Sequence, residues 1–256
     1  MTAMAATGFV RSEVRDGGVT VVTLDRPRAN AIHPTLVAEL RHAIADAADA
    51  PALVLASSQS LFSAGWDLPT VHAFGREEMS RFLASFTALM RELFVFEGPV
   101  VAVLPGHAIA GGLILASGAD ERIAAEGEGQ FGLSEVALGV PIPRAAYEVF
   151  RYMLGDRGAE RLTAAGDNVS GARALSIGLL DRIVPAADLL DAALERAREL
   201  AGRSRAAYAE IKRRARAETL ARFDRAAEGD PFLDFWFSEE ARRRIDGLVS
   251  RLTKKT

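Results

Sequence analysis

The sequence predicts an α/β fold with a largely parallel sheet, followed by a helical C-terminal region. Short β-branched or apolar runs alternate with helix-length amphipathic segments as far as about residue 187. Strands separated in this way need crossover connections, and crossovers make neighbouring strands parallel. Beyond about Asp188 the strand-like runs stop, and the chain becomes rich in Ala, Arg and Glu. The expected division is therefore a core domain over 1–187 and a helical region over 188–256. At 256 residues, 49% hydrophobic and 25% charged, the chain has the composition of an ordinary globular protein with one large core and an appendage.

Val19-Thr-Val-Val-Thr-Leu24 reads as the first buried strand, with Phe9 to Val14 as its hairpin partner across Asp16-Gly17-Gly18. Pro34 stands where helices begin, and Leu36, Leu40 and Ile44 follow at helical spacing to about Asp49. Ala52 to Ala56 is a short buried strand. Arg76 to Phe96 carries the apolar stripe Met79, Phe82, Leu83, Phe86, Leu89, Met90 and Leu93 of an amphipathic helix. Val100 to Leu104 is the next strand, and Gly111 opens the helix after it. The uncharged stretch from Pro99 to Ala119, apart from His107, is long enough to span a bilayer. Its Pro105 and glycines 106, 111, 112 and 118 make it strand, turn and short buried helix instead. A last helix is expected from Pro231 to about Leu252, its aromatic residues covering the chain's own site or a neighbouring subunit. Ile211-Lys-Arg-Arg-Ala-Arg216 reads as a solvated basic helix face, or as a contact with phosphate or another subunit.

A net charge of -3 gives no reason to expect a nucleic-acid surface. The chain has no cysteine, which excludes disulfides, thiolate metal sites and a cysteine nucleophile. His33, His42, His72 and His107 lack metal-ligand spacing, so no metal is expected. The first residues carry no basic segment and no continuous apolar run, and the expected location is cytoplasmic.

Three stretches carry the chemistry: Phe62-Ser-Ala-Gly-Trp-Asp-Leu68, Gly106-His-Ala-Ile-Ala-Gly-Gly112 and Gly132-Leu-Ser-Glu-Val-Ala-Leu-Gly139. The first two place small residues at strand ends, where backbone N–H groups can converge on an oxygen. A Gly-Gly pair opening a helix adds the positive end of the helix dipole. The third supplies one carboxylate, Glu135, in an apolar setting. Ser63 lacks a Gly-x-Ser-x-Gly elbow and reads as structural. Asp67 reads as a loop-holding carboxylate.

These stretches, with Leu24-Asp-Arg-Pro-Arg-Ala-Asn-Ala-Ile32, resemble in order the signatures of the crotonase (enoyl-CoA hydratase/isomerase) superfamily, over roughly Val19 to Pro185. The resemblance implies the crotonase-like fold, a spiral of strand-strand-helix units, and homotrimers often paired into hexamers. It implies an acyl-CoA substrate, with coenzyme A as part of the substrate rather than a separate cofactor. The backbone N–H groups of Trp66 and Gly111 would form an oxyanion hole. Arg26, Arg28, Ala29, Ala31, Ser63, Ala64, Asp67, Gly112 and Ile114 would line the substrate site. Hydratases of the family use two glutamates; the first position here is Ile114 and the second is Glu135. One glutamate suits a proton shuttle, as in the family's Δ3,Δ2-enoyl-CoA isomerases, with Val136, Leu138 and Ile114 raising its pKa. The alternatives are hydration with another second acid, other enolate chemistry such as decarboxylation or thioester hydrolysis, and a non-catalytic acyl-CoA-binding scaffold. Trp66 departs from the family pattern, and its bulk either narrows the acyl pocket or indicates another substrate.

Overall fold

The structure is a computed structural model that describes residues 8–227 and 229–253. β1 (Val10–Val14) runs antiparallel to β2 (Thr20–Leu24) across a 3-10 turn at Asp16–Gly18. After β2 the chain forms α1 (Pro34–Asp46), whose Pro is in the first turn and whose cap is His33, its Nδ1 accepting from the Leu36 N–H. Then come β3 (Leu53–Ser57), α2 (Leu68–His72), α3 (Arg76–Val95), β4 (Val100–Leu104), β5 (Ala108–Ile109), α4 (Gly111–Ser117) and β6 (Glu121–Ala125). β7 (Gln130–Gly132), a 3-10 turn at Glu135–Leu138, α5 (Arg144–Ala165), β8 (Asn168–Ser170), α6 (Gly171–Ser176) and β9 (Arg182–Val184) follow. α7 (Leu189–Ala201), α8 (Arg205–Ala227), α9 (Phe232–Trp236) and α10 (Glu239–Thr253) complete the chain.

The main sheet has the order β1-β2-β3-β4-β6-β9 and is parallel from β2 onward. Burial on both faces explains why β2, β3 and β4 read as continuous apolar runs rather than alternating ones. Val22, Leu24, Leu53, Leu55, Ala102 and Leu104 face the larger core with α1 and α3. Val21, Val54, Val101 and Val103 face a second core with Ala193, Leu194 and Ala197 of α7. A smaller sheet, β5-β7-β8, stands beside the first, with β5 and β7 parallel. No described helix is long and apolar enough to cross a membrane.

Two expectations are corrected. The last helix is broken: α9 ends at Trp236, and α10 starts afresh where the Ser238 Oγ accepts from the Ala241 N–H at 3.2 Å. The basic run on α8 is not one solvated face either. Arg213 and Arg214 pair with Glu210 in solvent, but Lys212 and Arg216, four residues apart on the inward face, are buried. Both bind Asp120, Lys212 at 2.8 Å and Arg216 at 2.7 Å, and Asp120 also accepts from the Val100 N–H. Burying two cations is tolerable only because a carboxylate and the carbonyls of Gly98 and Phe94 take their hydrogens.

Candidate active site

The signature loops are laced together by short parallel pairings that continue the smaller sheet. Ile32 bridges Trp66, Ser63 bridges Ala108, and Ile109 of β5 pairs with Gly132 of β7. In the first bridge the Ile32 N–H donates to the Gly65 carbonyl and the Asp67 N–H donates to the Ile32 carbonyl, both at 2.8 Å. Backbone groups alternate sides along an extended chain, so the Trp66 N–H faces away from Ile32. Gly111 is close to this loop: a methyl built on Gly65 would lie 3.2 Å from the Gly111 nitrogen. Among the described residues no acceptor pairs with the N–H of Trp66 or of Gly111. The first turn of α4 leaves such donors free by construction.

Close approach explains the small residues. A methyl on Gly112 would meet the Ser63 carbonyl oxygen at 2.5 Å, and one on Gly65, at φ +90°, would press on Ala110. Ala110 itself has φ 50° and ψ −129°, a conformation that favours glycine, and its N–H donates to the Gly132 carbonyl at 2.8 Å. Ala110→Gly should therefore raise stability. Strain relief of about 1–3 kcal/mol exceeds the glycine entropy cost of about 0.5–1 kcal/mol. A thermal melt should show a rise of roughly 2–4 °C. A lower midpoint would mean that the Ala110 methyl is held by favourable packing that outweighs its strain.

The loop after β2 is a left-handed turn of non-glycine residues: Arg28 (φ 64°), Ala29 (φ 65°) and Asn30 (φ 46°). Each such residue costs about 1–2 kcal/mol, and the hub that offsets this is Asn30, which is fully buried. Its Oδ1 accepts from the Arg26 N–H at 2.8 Å, and its Nδ2 donates to the Ser57 Oγ at 2.8 Å and the Phe62 carbonyl at 3.0 Å. Gln59 adds bonds to Ala29 and to the Arg26 carbonyl. Asn30→Ala is expected to cost about 3 kcal/mol, because three buried bonds and the left-handed preference of Asn are lost together. Denaturant unfolding measures it; a cost below about 1 kcal/mol would show that Gln59 and Ser63 hold the turn without Asn30.

The structure sorts the remaining expected site residues. Ser63 is enclosed, its Oγ donating to the Asn30 carbonyl and accepting from the Gly65 N–H. Arg26 turns into its own loop, binding the Asp67 carboxylate at 2.5 Å and the Ala31 carbonyl at 2.9 Å. Asp67 also caps α2 by accepting from the Thr70 N–H at 3.2 Å. Arg28 and Ala64 are exposed, Ala29 and Ala31 half-buried, and Gly112 and Ile114 buried. Asn30 and Gln59 were not singled out by the sequence; the only signal was an Asn six residues after the last residue of a strand, a type that tolerates left-handed backbone.

Glu135 opens the 3-10 turn that follows β7, so the pairing of β7 with β5 brings its segment beside the Ala110-Gly111 turn. The residue is half-buried, but its carboxyl end is enclosed: Oε2 meets neither solvent nor, among the described residues, a hydrogen-bond partner. Desolvation pushes its pKa from the ordinary 4.5 up to about 7, against a smaller opposing effect of its own backbone N–H. Of the apolar neighbours expected to do this, Val136 turns outward and is 45% exposed, whereas Leu138 packs on the core and Ile114 is buried. The enclosure also comes from α5 and α10, which pack on the turn. α10 clasps the site from both sides: Arg244 donates to the Ala137 carbonyl, Asp246 meets the His72 Nε2 at 2.6 Å, and Arg242 donates to the His72 carbonyl.

Comparison with known proteins agrees with this architecture. A family model described as enoyl-CoA hydratase/isomerase matches residues 14–248. Carnitinyl-CoA dehydratase of Salmonella enteritidis is 31% identical over 202 residues, 77% of each chain. A Mycobacterium tuberculosis protein, described as a probable enoyl-CoA hydratase in one crystal structure and as an enoyl-CoA isomerase in another, is similar with a TM-score of 0.81 in both. The first of these is 31% identical, with 86% of this chain and 94% of that one covered. Human mitochondrial Δ3-Δ2-enoyl-CoA isomerase shares the fold, with a TM-score of 0.90 over 97% of this chain and 99% of its own at 24% identity.

Proposed function

The chain belongs to the enoyl-CoA hydratase/isomerase family, and on that premise we propose that it moves the double bond of a 3-enoyl-CoA to the 2-position, with Glu135 as the only proton carrier. The observation that carries the reading is the enclosed carboxyl of Glu135, the one buried carboxyl without a hydrogen-bond partner among the described residues, its pKa raised by desolvation to about 7, while the position of a second acid holds the buried side chain of Ile114.

The Glu135 carboxylate takes a proton from C2; the C–H pair forms a C1=C2 double bond and the carbonyl pair moves to the thioester oxygen, giving a dienolate that keeps its C3=C4 double bond. In this reading the negative oxygen rests between the N–H groups of Trp66 and Gly111, backbone donors that need little reorganisation. The Glu135 carboxylic acid then returns the proton at C4: the C3=C4 pair forms the new C–H bond, the C1=C2 pair becomes the C2=C3 double bond, and the oxygen pair restores the carbonyl. No proton is gained or lost overall. A pKa near the working pH suits a group that must both take and give a proton. Hydration would also require a second group to handle water, and Ile114 cannot.

An absorbance assay with matched substrates tests the reading, because only the conjugated 2-enoyl thioester absorbs strongly in the near ultraviolet. A rise on the 3-enoyl substrate with no loss on the 2-enoyl one is expected. Loss on the 2-enoyl substrate, with 3-hydroxyacyl-CoA as product, would overturn it.

A further inference from the structure

Trp66 gives the site a feature separate from the proton chemistry. Its indole folds back over the oxyanion turn: a methyl on Gly111 would stand 2.6 Å from Cδ1 and 2.9 Å from Nε1. Four rings grip it edge-on. Phe82 and Phe86 of α3 lie with centroids 5.2 and 5.6 Å away, and Phe232 and Trp236 of α9 lie at 5.6 and 6.0 Å. All four are buried. The Trp66 Nε1–H is enclosed without an acceptor among the described residues. A phenylalanine would fill an aromatic cluster without that orphan donor, so packing stability alone does not account for the larger ring.

A thioester carbonyl held between the Trp66 and Gly111 N–H groups has a substituent on either side. The sulfur side must lead to solvent, and Pro27, Arg28 and Ala64 are exposed beside the loops. The acyl side then runs inward, and on that side the indole lies against Gly111 with four buried rings packed against the indole. A rigid ring held by four others does not yield as a flexible side chain would.

We propose that Trp66 is a specificity-determining residue whose indole, wedged between Gly111 and the rings of α3 and α9, closes the acyl pocket a few carbons from the thioester and restricts the site to short-chain acyl-CoAs. The inference rests on acyl-CoA binding at this site, as in the proposed function, but not on the reaction that follows.

Calorimetric titration of the whole protein with unreactive saturated thioesters tests it. An open apolar pocket gains affinity with every methylene; a closed one loses it. Wild type is expected to bind butanoyl-CoA at least tenfold more tightly than decanoyl-CoA. Trp66→Ala and the more conservative Trp66→Leu, checked for folding by circular dichroism, should shrink or invert that ratio. Equal or tighter decanoyl-CoA binding by wild type overturns the proposal, as does an unchanged ratio in a folded variant or no binding at any length. If the Ala variant does not fold, the Leu variant and the wild-type profile decide. Lack of isomerisation with the chain-length profile intact would remove the reaction and leave this inference standing.

Discussion

Glu135→Gln should lower turnover of a 3-enoyl-CoA by roughly 10²- to 10⁴-fold, the usual contribution of a positioned acid/base group, and leave the affinity for a saturated acyl-CoA unchanged. The amide keeps the shape of the side chain and cannot carry the proton from C2 to C4. Wild type should also show kcat/KM falling about tenfold per pH unit below about 7, since only the carboxylate can begin the reaction. Residual turnover within tenfold of wild type would mean that another group moves the proton.

The same variant has a second signature, opposite in sign. Between pH 4.5 and about 7 the folded chain keeps a proton on Glu135 that the unfolded chain has released. That stabilising contribution is fully present below the ordinary carboxylate range and is lost as pH rises through the folded pKa. Above it the fold holds an enclosed charge at a cost of up to about 3 kcal/mol. Glutamine removes that cost. Glu135→Gln should therefore melt close to wild type at pH 4.5 and several degrees above it at pH 8. A constant difference across that range would show that the carboxyl reaches water. Loss of activity with gain of stability is the pattern of a residue placed for chemistry rather than for the fold.

The backbone architecture was legible because its causes are local. Val19 to Leu24 and Val100 to Leu104 are apolar throughout since both sheet faces are covered, and Pro34 and Gly111 mark helix starts by their own stereochemistry. The loops of the site were legible for a related reason: glycines at 65, 111 and 112 stand where another chain segment comes within contact distance. Features set by distant partners were not. Lys212 and Arg216 look solvated until Asp120, some ninety residues earlier, is brought beneath them. Asn30 looks like an ordinary turn residue until Ser57 and Phe62 supply its partners. The direction of the Trp66 ring depends on α3 and α9 meeting over it, which no spacing within residues 62–68 can reveal.

Gly112→Ala should reduce kcat by 10²-fold or more. The added methyl would lie 2.5 Å from the Ser63 carbonyl oxygen and 2.8 Å from its Cβ. Ser63 cannot step aside: its backbone bridges Ala108, and its Oγ is tied to Asn30 and Gly65. The strain must instead separate the start of α4 from the Phe62–Asp67 segment, moving the Gly111 N–H relative to the Trp66 N–H. Misplacing reacting groups by about 1 Å costs on the order of 10²-fold, and loss of one oxyanion donor costs roughly 10²- to 10³-fold. Gly111→Ala is the informative comparison, because its methyl would meet the Trp66 ring edge rather than backbone. It should shift the ring and alter chain-length preference more than kcat. If Gly112→Ala keeps full kcat in a folded protein, the two N–H groups do not act as a rigid pair.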